Sequence, residues 1–177
     1  QPRQVLTFTP RDRRTREWYS APVPFDPADY ITEQVWTTSK DGTRVPAFVS
    51  RLRSVTPGPS TPTWLYGYGG FNISETPAYS PDAIAWMQEG GVYVVANIRG
   101  GGEFGRNWHR AGTLLRKQNT FDDFIGVAEW LIAEGQTSPA HLVANGISNG
   151  GLLAGAVLTQ RPDLFAAVIP EVGVLDM

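Results

Sequence analysis

Residues 142–155, Leu142-Val143-Ala144-Asn145-Gly146-Ile147-Ser148-Asn149-Gly150-Gly151-Leu152-Leu153-Ala154-Gly155, carry side chains spaced for nucleophilic chemistry. A short apolar run enters Gly146-Ile147-Ser148-Asn149-Gly150, and an Ala/Leu-rich stretch of helical composition, Gly151 to Gln160, leaves it. G-x-S-x-G between a strand and a helix is the pattern of a serine lifted above a sheet on a sharp turn. That turn strains the backbone, and side chains two residues to either side would collide with the neighbouring strand or helix, which Gly146 and Gly150 avoid. The first free N–H groups of the following helix, Asn149 among them, face the space beside the hydroxyl. There a carbonyl oxygen would gain negative charge during acyl transfer. Ser148 is therefore the candidate nucleophile, with half an oxyanion hole beside it. In a chain with 19 glycines the five letters alone are weak; the flanking strand and helix carry the inference against a turn that only packs a helix on a sheet.

The elements that would position this serine follow from pattern. Thr63 to Phe71 is a buried-looking strand running into glycines, Tyr68-Gly69-Gly70-Phe71. Ser80-Pro81-Asp82 opens a helix with a capping serine, a proline in the first turn and an acid, and Gly90-Gly91 ends it. Val92 to Ile98 is a continuous apolar strand, as expected when both faces are covered. Thr120-Phe121-Asp122-Asp123 starts the longest helix, with Phe124, Val127, Ala128, Leu131 and Ile132 at helical spacing and Gly135 at its end. Phe165 to Val172 reads as another buried strand. Alternation of strands and helices after residue 63 implies βαβ units and a mostly parallel sheet. Its site lies at the strands' carboxyl ends, Tyr68 to Phe71, Arg99 to Gly102, Ser148 and Glu171 to Gly173, all expected on one rim.

Ahead of that unit, Ile31 to Thr38 and Val45 to Leu52 read as a hairpin turning at Asp41-Gly42, an antiparallel start to the sheet. Residues 1–29 differ again. Within residues 1–16, Arg3, Arg11, Arg13, Arg14 and Arg16 stand against the single acid Asp12. Val5 to Thr9 and Arg16 to Ser20 could be two short strands around a solvated charged turn, before the proline-rich Ala21 to Pro27.

At 177 residues, 41% hydrophobic and 18% charged, the chain has ordinary globular composition. One domain of that size buries about 70% of its unfolded surface without staples. A net charge of −2 argues against nucleic-acid binding. No apolar run reaches 18 residues and no basic-then-apolar leader opens the chain. The expectation is a soluble protein with no membrane partner, cytoplasm and periplasm both left open. Absence of cysteine excludes disulfides and thiolate chemistry. His109 and His141 have no spacing that would join them in a metal site. Gly100 to Gly105 fits G-x-G-x-x-G after a strand, with Asp122 and Asp123 about twenty residues on. Arg106-Asn107-Trp108-His109-Arg110 is not the small apolar helix start that packs behind a pyrophosphate, and the two acids open a helix rather than end a strand. No cofactor or metal is expected.

Several segments together resemble one family. Leu65 to Ser74, Ala96 to Gly105, Lys117 to Phe124, Ser148 to Leu153 and Gln160 to Phe165 are similar, in order, to the catalytic domain of the prolyl oligopeptidase family, over about residues 30–177. The resemblance implies an α/β-hydrolase fold, mostly parallel sheet with antiparallel start, incomplete at the carboxyl end. It implies cleavage of short peptides after proline through an acyl-enzyme on Ser148. The Asn149 N–H and the Tyr68 hydroxyl match the family's oxyanion donors, and Phe71, Asn149 and Val174 match walls of its proline pocket. By its residues alone Tyr68 reads as a packed aromatic.

The pattern breaks at the triad, whose order in this fold is Ser, Asp, His. No histidine follows Ser148, and Asp163, in a turn after the elbow helix, reads as structural. The expectation is a partial catalytic domain, 30–177, whose triad Asp and His lie beyond Met177, preceded by an exit from a β-propeller, 1–29. Its partners would be proline-containing peptides, the missing carboxyl-terminal part and the propeller. A non-catalytic peptide- or partner-binding module and an esterase of the same fold remain alternatives. The Phe165 to Val172 strand is expected to be an uncovered edge.

Overall fold

The computed structural model describes residues 4–176 and contains two sheets. β1 (Gln4–Thr9) and β2 (Arg14–Ser20) pair antiparallel in a hairpin of their own, every residue exposed. The second strand starts two residues earlier than its sequence suggests. Arg3 of the basic run lies outside the described residues. Val5, Leu6, Phe8, Trp18 and Tyr19 are all left open, Trp18 at 73% exposure.

The second sheet has six strands, β3 (Tyr30–Thr38), β4 (Arg44–Leu52), β5 (Thr63–Gly67), β6 (Val92–Ala96), β7 (Leu142–Ile147) and β8 (Ala167–Glu171), in the order β3-β4-β6-β5-β7-β8. β3, β4 and β6 pair antiparallel, and β6, β5, β7 and β8 pair parallel. The expected antiparallel start and parallel body are both present, and β8 is an edge. At the β3–β4 turn Gly42 adopts φ 83°, which the Asp-Gly pair makes accessible.

Side chains alternate across the pleat, so one sheet has two different faces. Val92, Val94 and Ala96 join Val45, Ala47, Val49 and Leu65 in the core beneath α3 (Gln118–Ala133) and α4 (Asn149–Gln160). Tyr93 and Val95, between them, face α1 (Pro81–Gln88) across a cavity of about 290 Å³ that Phe25, Phe48 and Tyr79 help to line. Ser80 caps α1 as expected, its hydroxyl accepting from the Ala83 N–H at 3.3 Å. Phe124, Val127, Ala128 and Leu131 of α3 are fully buried, and Gly135 beyond its end is left-handed at φ 66°. Among the described residues no helix is long and apolar enough to cross a membrane.

Two departures from the sequence reading share one cause. α3 begins at Gln118, not at Thr120, and the short helix α2 (Arg106–Arg110) precedes it. Thr120 does not cap, because its hydroxyl donates to the Arg99 carbonyl at 2.8 Å and the Gly112 carbonyl at 3.2 Å. Asp123, far from being a solvated first-turn acid, is fully buried against Arg99. Arg99 itself, expected on the rim, turns its side chain inward at 4% exposure and also reaches Ser39 and Asp41 of the β3–β4 turn. Its charge is consumed in joining the loop after β6 to α3 and the hairpin.

Asp41 gives this cluster a pH dependence. The hydrogen bond from Arg99, with smaller help from Thr43, lowers its pKa to about 2. The unfolded carboxyl titrates near 4, so the contact's contribution is complete above about pH 4 and is lost as pH falls through about 2. Comparison of thermal midpoints should show Asp41→Asn below wild type at pH 6, with the gap closing as pH falls to and below about 2. Because the Asp41 side chain is 47% exposed, added salt should narrow the gap at pH 6.

Candidate active site

Ser148 sits between β7 and α4 at φ 57°, ψ −112°. A non-glycine residue held there costs about 1–3 kcal/mol and persists only where its surroundings dictate it. Here they do. The Ser148 N–H donates to the Glu171 carbonyl of β8 at 2.9 Å, and its carbonyl accepts from Leu152 at 3.1 Å. A Cβ on Gly146 would run into the Gly150 backbone, and one on Gly150 would lie 2.5 Å from the Gly67 carbonyl. The two glycines are thus required by the contacts of β7 with α4 and of α4 with β5. Ser148 is half-buried, and its hydroxyl makes no capping bond to the helix that follows.

Asn149 opens α4, so its N–H belongs to the first turn, which has no carbonyl partner within the helix. Its side chain ties two elements together, Nδ2 donating to the Tyr68 carbonyl at 2.5 Å. Tyr68 follows β5, which pairs directly with β7 through Tyr66 and Asn145, and its Cα lies 3.4 Å from where a Cβ on Gly150 would be. The Tyr68 backbone therefore runs alongside the start of α4, and its side chain is half-buried.

Phe71 and Val174 stand on the loops after β5 and β8, at the same ends of the strands. Both are open, at 74% and 47% exposure. Phe71 and Asn72 take consecutive left-handed positions, φ 53° and 58°. That bend is pinned where the Asn72 N–H donates to Gly100 at 3.2 Å and the Gly102 N–H to Ile73 at 3.1 Å. Gly173, beside Val174, packs on Gly151 of α4. The strand-end arrangement thus brings Tyr68, Phe71, Ser148, Asn149 and Val174 to one edge, while the cavity beside α1 lies elsewhere and has none of them in its lining.

Among the described residues no histidine accompanies the serine. His109 Nδ1 bonds to the Gly100 carbonyl at 2.7 Å, and His141, at the opposite end of β7, bonds to Ser138 at 3.0 Å. Asp163 is exposed and engaged by Arg161, which holds its carboxyl below the usual range. Among the described residues no group of His, Asp and Glu could hold a metal ion.

One site residue was not singled out by the sequence. Lys117, just before α3, donates from Nζ to the Gly69 carbonyl at 2.8 Å and to Asn149 Oδ1 at 3.2 Å. Burial pulls its pKa down to about 8. The available signal was faint: no acid stands three or four residues to either side of it to make a surface pair.

Residues 77–177 match the prolyl oligopeptidase family. The prolyl endopeptidase of Elizabethkingia meningoseptica is 51% identical over 162 residues, covering 91% of this chain and 23% of that protein. A structure from a structural and mechanistic analysis of two prolyl endopeptidases superposes with a TM-score of 0.94 at 46% identity, over 99% of this chain and 26% of that one. A post-proline cleaving enzyme from Rickettsia typhi does so at 0.93 and 40%, over 99% and 26%. The chain spans about a quarter of the length of these relatives.

Proposed function

The chain belongs to the prolyl oligopeptidase family, and from that premise we propose that it supplies the nucleophile and oxyanion hole of a serine peptidase cleaving short peptides after proline. Its fold is the α/β-hydrolase, here with the antiparallel start and parallel body of the sheet. The observation that carries the reading is Ser148, held in a strained left-handed turn at the carboxyl end of β7 with the Asn149 N–H beside it.

In this mechanism Ser148 Oγ attacks the carbonyl carbon of a prolyl residue. The oxygen becomes an oxyanion held by the Asn149 N–H and the Tyr68 hydroxyl. Collapse expels the amine and leaves an acyl-enzyme that water hydrolyses. Phe71, Asn149 and Val174 form part of the wall around the proline ring. The proton from Ser148 needs a base, and its Asp and His come from a segment other than residues 4–176. By itself this chain is expected to be inactive. The β8 edge, with Ile169 and Val172 exposed, is where that segment would extend the sheet. Residues 1–29, with their separate exposed hairpin, belong in this reading to a neighbouring β-propeller.

A fluorophosphonate should label Ser148 in the full-length protein carrying this sequence, and an unlabelled but folded protein would overturn the proposal. Hydrolysis of a prolyl peptide amide compared with that of a simple ester separates a peptidase from an esterase. Tyr68→Phe should lower kcat about 10²- to 10³-fold, the effect of losing one oxyanion donor, with KM little changed. Steady-state kinetics on a prolyl amide checks this.

A further inference from the structure

We infer that Lys117 is a positioning residue of the oxyanion hole, its ammonium fixing the Gly69 carbonyl and the Asn149 carboxamide so that Tyr68 and the Asn149 N–H keep one separation. The inference rests on the peptidase reading above.

The two oxyanion donors of that reading come from different elements, the loop after β5 and the first turn of α4. Between Tyr68 and Phe71 the loop is Gly69-Gly70, with Gly69 at φ 63°, and two glycines cannot hold a conformation by themselves. What holds it is a chain of polar contacts. Lys117 Nζ donates to Gly69 O at 2.8 Å and to Asn149 Oδ1 at 3.2 Å, and Asn149 Nδ2 donates to Tyr68 O at 2.5 Å. One cation on a third element, the entry to α3, thereby joins both halves.

The groups facing the ammonium are the Gly69 carbonyl from the loop after β5, the Asn149 side chain from α4 and, 5.9 Å away, the Phe121 ring from α3. None of them titrates and none carries a counter-charge. Burial accordingly lowers the lysine's pKa from 10.5 to about 8. Between those values the unfolded chain holds a proton that the folded one has released, so stability rises with pH across that window. Below pH 8 the folded protein carries a charge that burial disfavours. The two hydrogen bonds offset that cost by pairing the Gly69 carbonyl and Asn149 Oδ1.

The test uses the full-length enzyme, with rates expressed per site titrated by fluorophosphonate so that misfolded molecules do not count. Lys117→Met is expected to lower kcat about 10- to 100-fold, the scale of a misplaced catalytic group, with KM within about twofold. The affinity of a peptide aldehyde, whose adduct places an oxyanion in the same hole, should fall in the same ratio. Lys117→Arg, which keeps a donor cation, should recover part of the loss. In an Asn149→Ala background the further loss from Lys117→Met should shrink, because the intermediary is gone. An unchanged kcat per titrated site for Lys117→Met, or an undiminished loss in the Asn149→Ala background, overturns the inference while leaving the peptidase reading intact. A wild type that is neither labelled nor active overturns that reading and this inference with it.

Discussion

Ser148→Ala should lower kcat for a prolyl peptide on the order of 10⁶-fold in the full-length enzyme and abolish fluorophosphonate labelling, without lowering the thermal midpoint. The size follows from role. In the proposed mechanism, removing the nucleophile leaves only what binding and the oxyanion donors accomplish on water, about 10³- to 10⁴-fold over the uncatalysed reaction. The stability half of the expectation follows from geometry. The Ser148 side chain makes no capping bond, so alanine deletes no helix contact, and both residues bear the same φ of 57°. Ser148→Gly should go further and raise stability by about 1 kcal/mol, since glycine adopts that φ without a steric penalty. Inactivity with unchanged or higher stability is the pairing that marks a strained functional residue. Activity retained in Ser148→Ala would remove the nucleophile from the scheme, and a marked fall in midpoint would make the turn structural instead.

Asp123→Ala should cost about 3–5 kcal/mol, the largest stability loss expected from a single polar residue here. Asp123 is fully buried, and its carboxylate receives the Arg99 backbone N–H at 2.9 Å as well as Nε and Nη2, the latter at 2.6 Å. Deleting it leaves a guanidinium at 4% exposure with half its partners gone; Asp41, near the surface, cannot replace them. Most of the cost is this stranded charge, not the value of the pair. The double variant Arg99→Met/Asp123→Leu should therefore recover much of the loss. Urea or thermal midpoints of the two proteins test this directly; equal destabilisation by both would show the pair itself to be net favourable. Activity should fall with Asp123→Ala beyond its effect on folding. The loop that Arg99 begins is bonded to the bend at Asn72 and Ile73, on which Phe71 stands.

Much of the scaffold was legible because it rests on local chemistry. Ser80-Pro81 announced α1, the apolar spacing of Phe124, Val127, Ala128 and Leu131 announced α3, and the G-x-S-x-G context placed Ser148 at the strand-to-helix turn. Each depends on residues within one or two turns of one another, so pattern suffices. The start of α3 was misread because its signal was false. Thr120 and the acids after it read as the helix start, whereas Thr120 and Asp123 are committed to Arg99, more than twenty positions away.

What the residues determined unaided was the order of the strands and of the longer helices, the candidate nucleophile with a candidate oxyanion N–H beside it, and the absence of a histidine after Ser148 in this sequence. Tertiary structure alone decided which charges are spent internally and which remain near the site. Arg99, expected on the rim, is locked to Asp123 and Asp41; Lys117, which opens a segment resembling the family but had no role assigned to it, holds Gly69 to Asn149. The physical reason is that a side chain's electrostatic role depends on distance and burial. Both are set by how α3, the β3–β4 turn and the strand ends converge, and adjacency in the chain encodes neither.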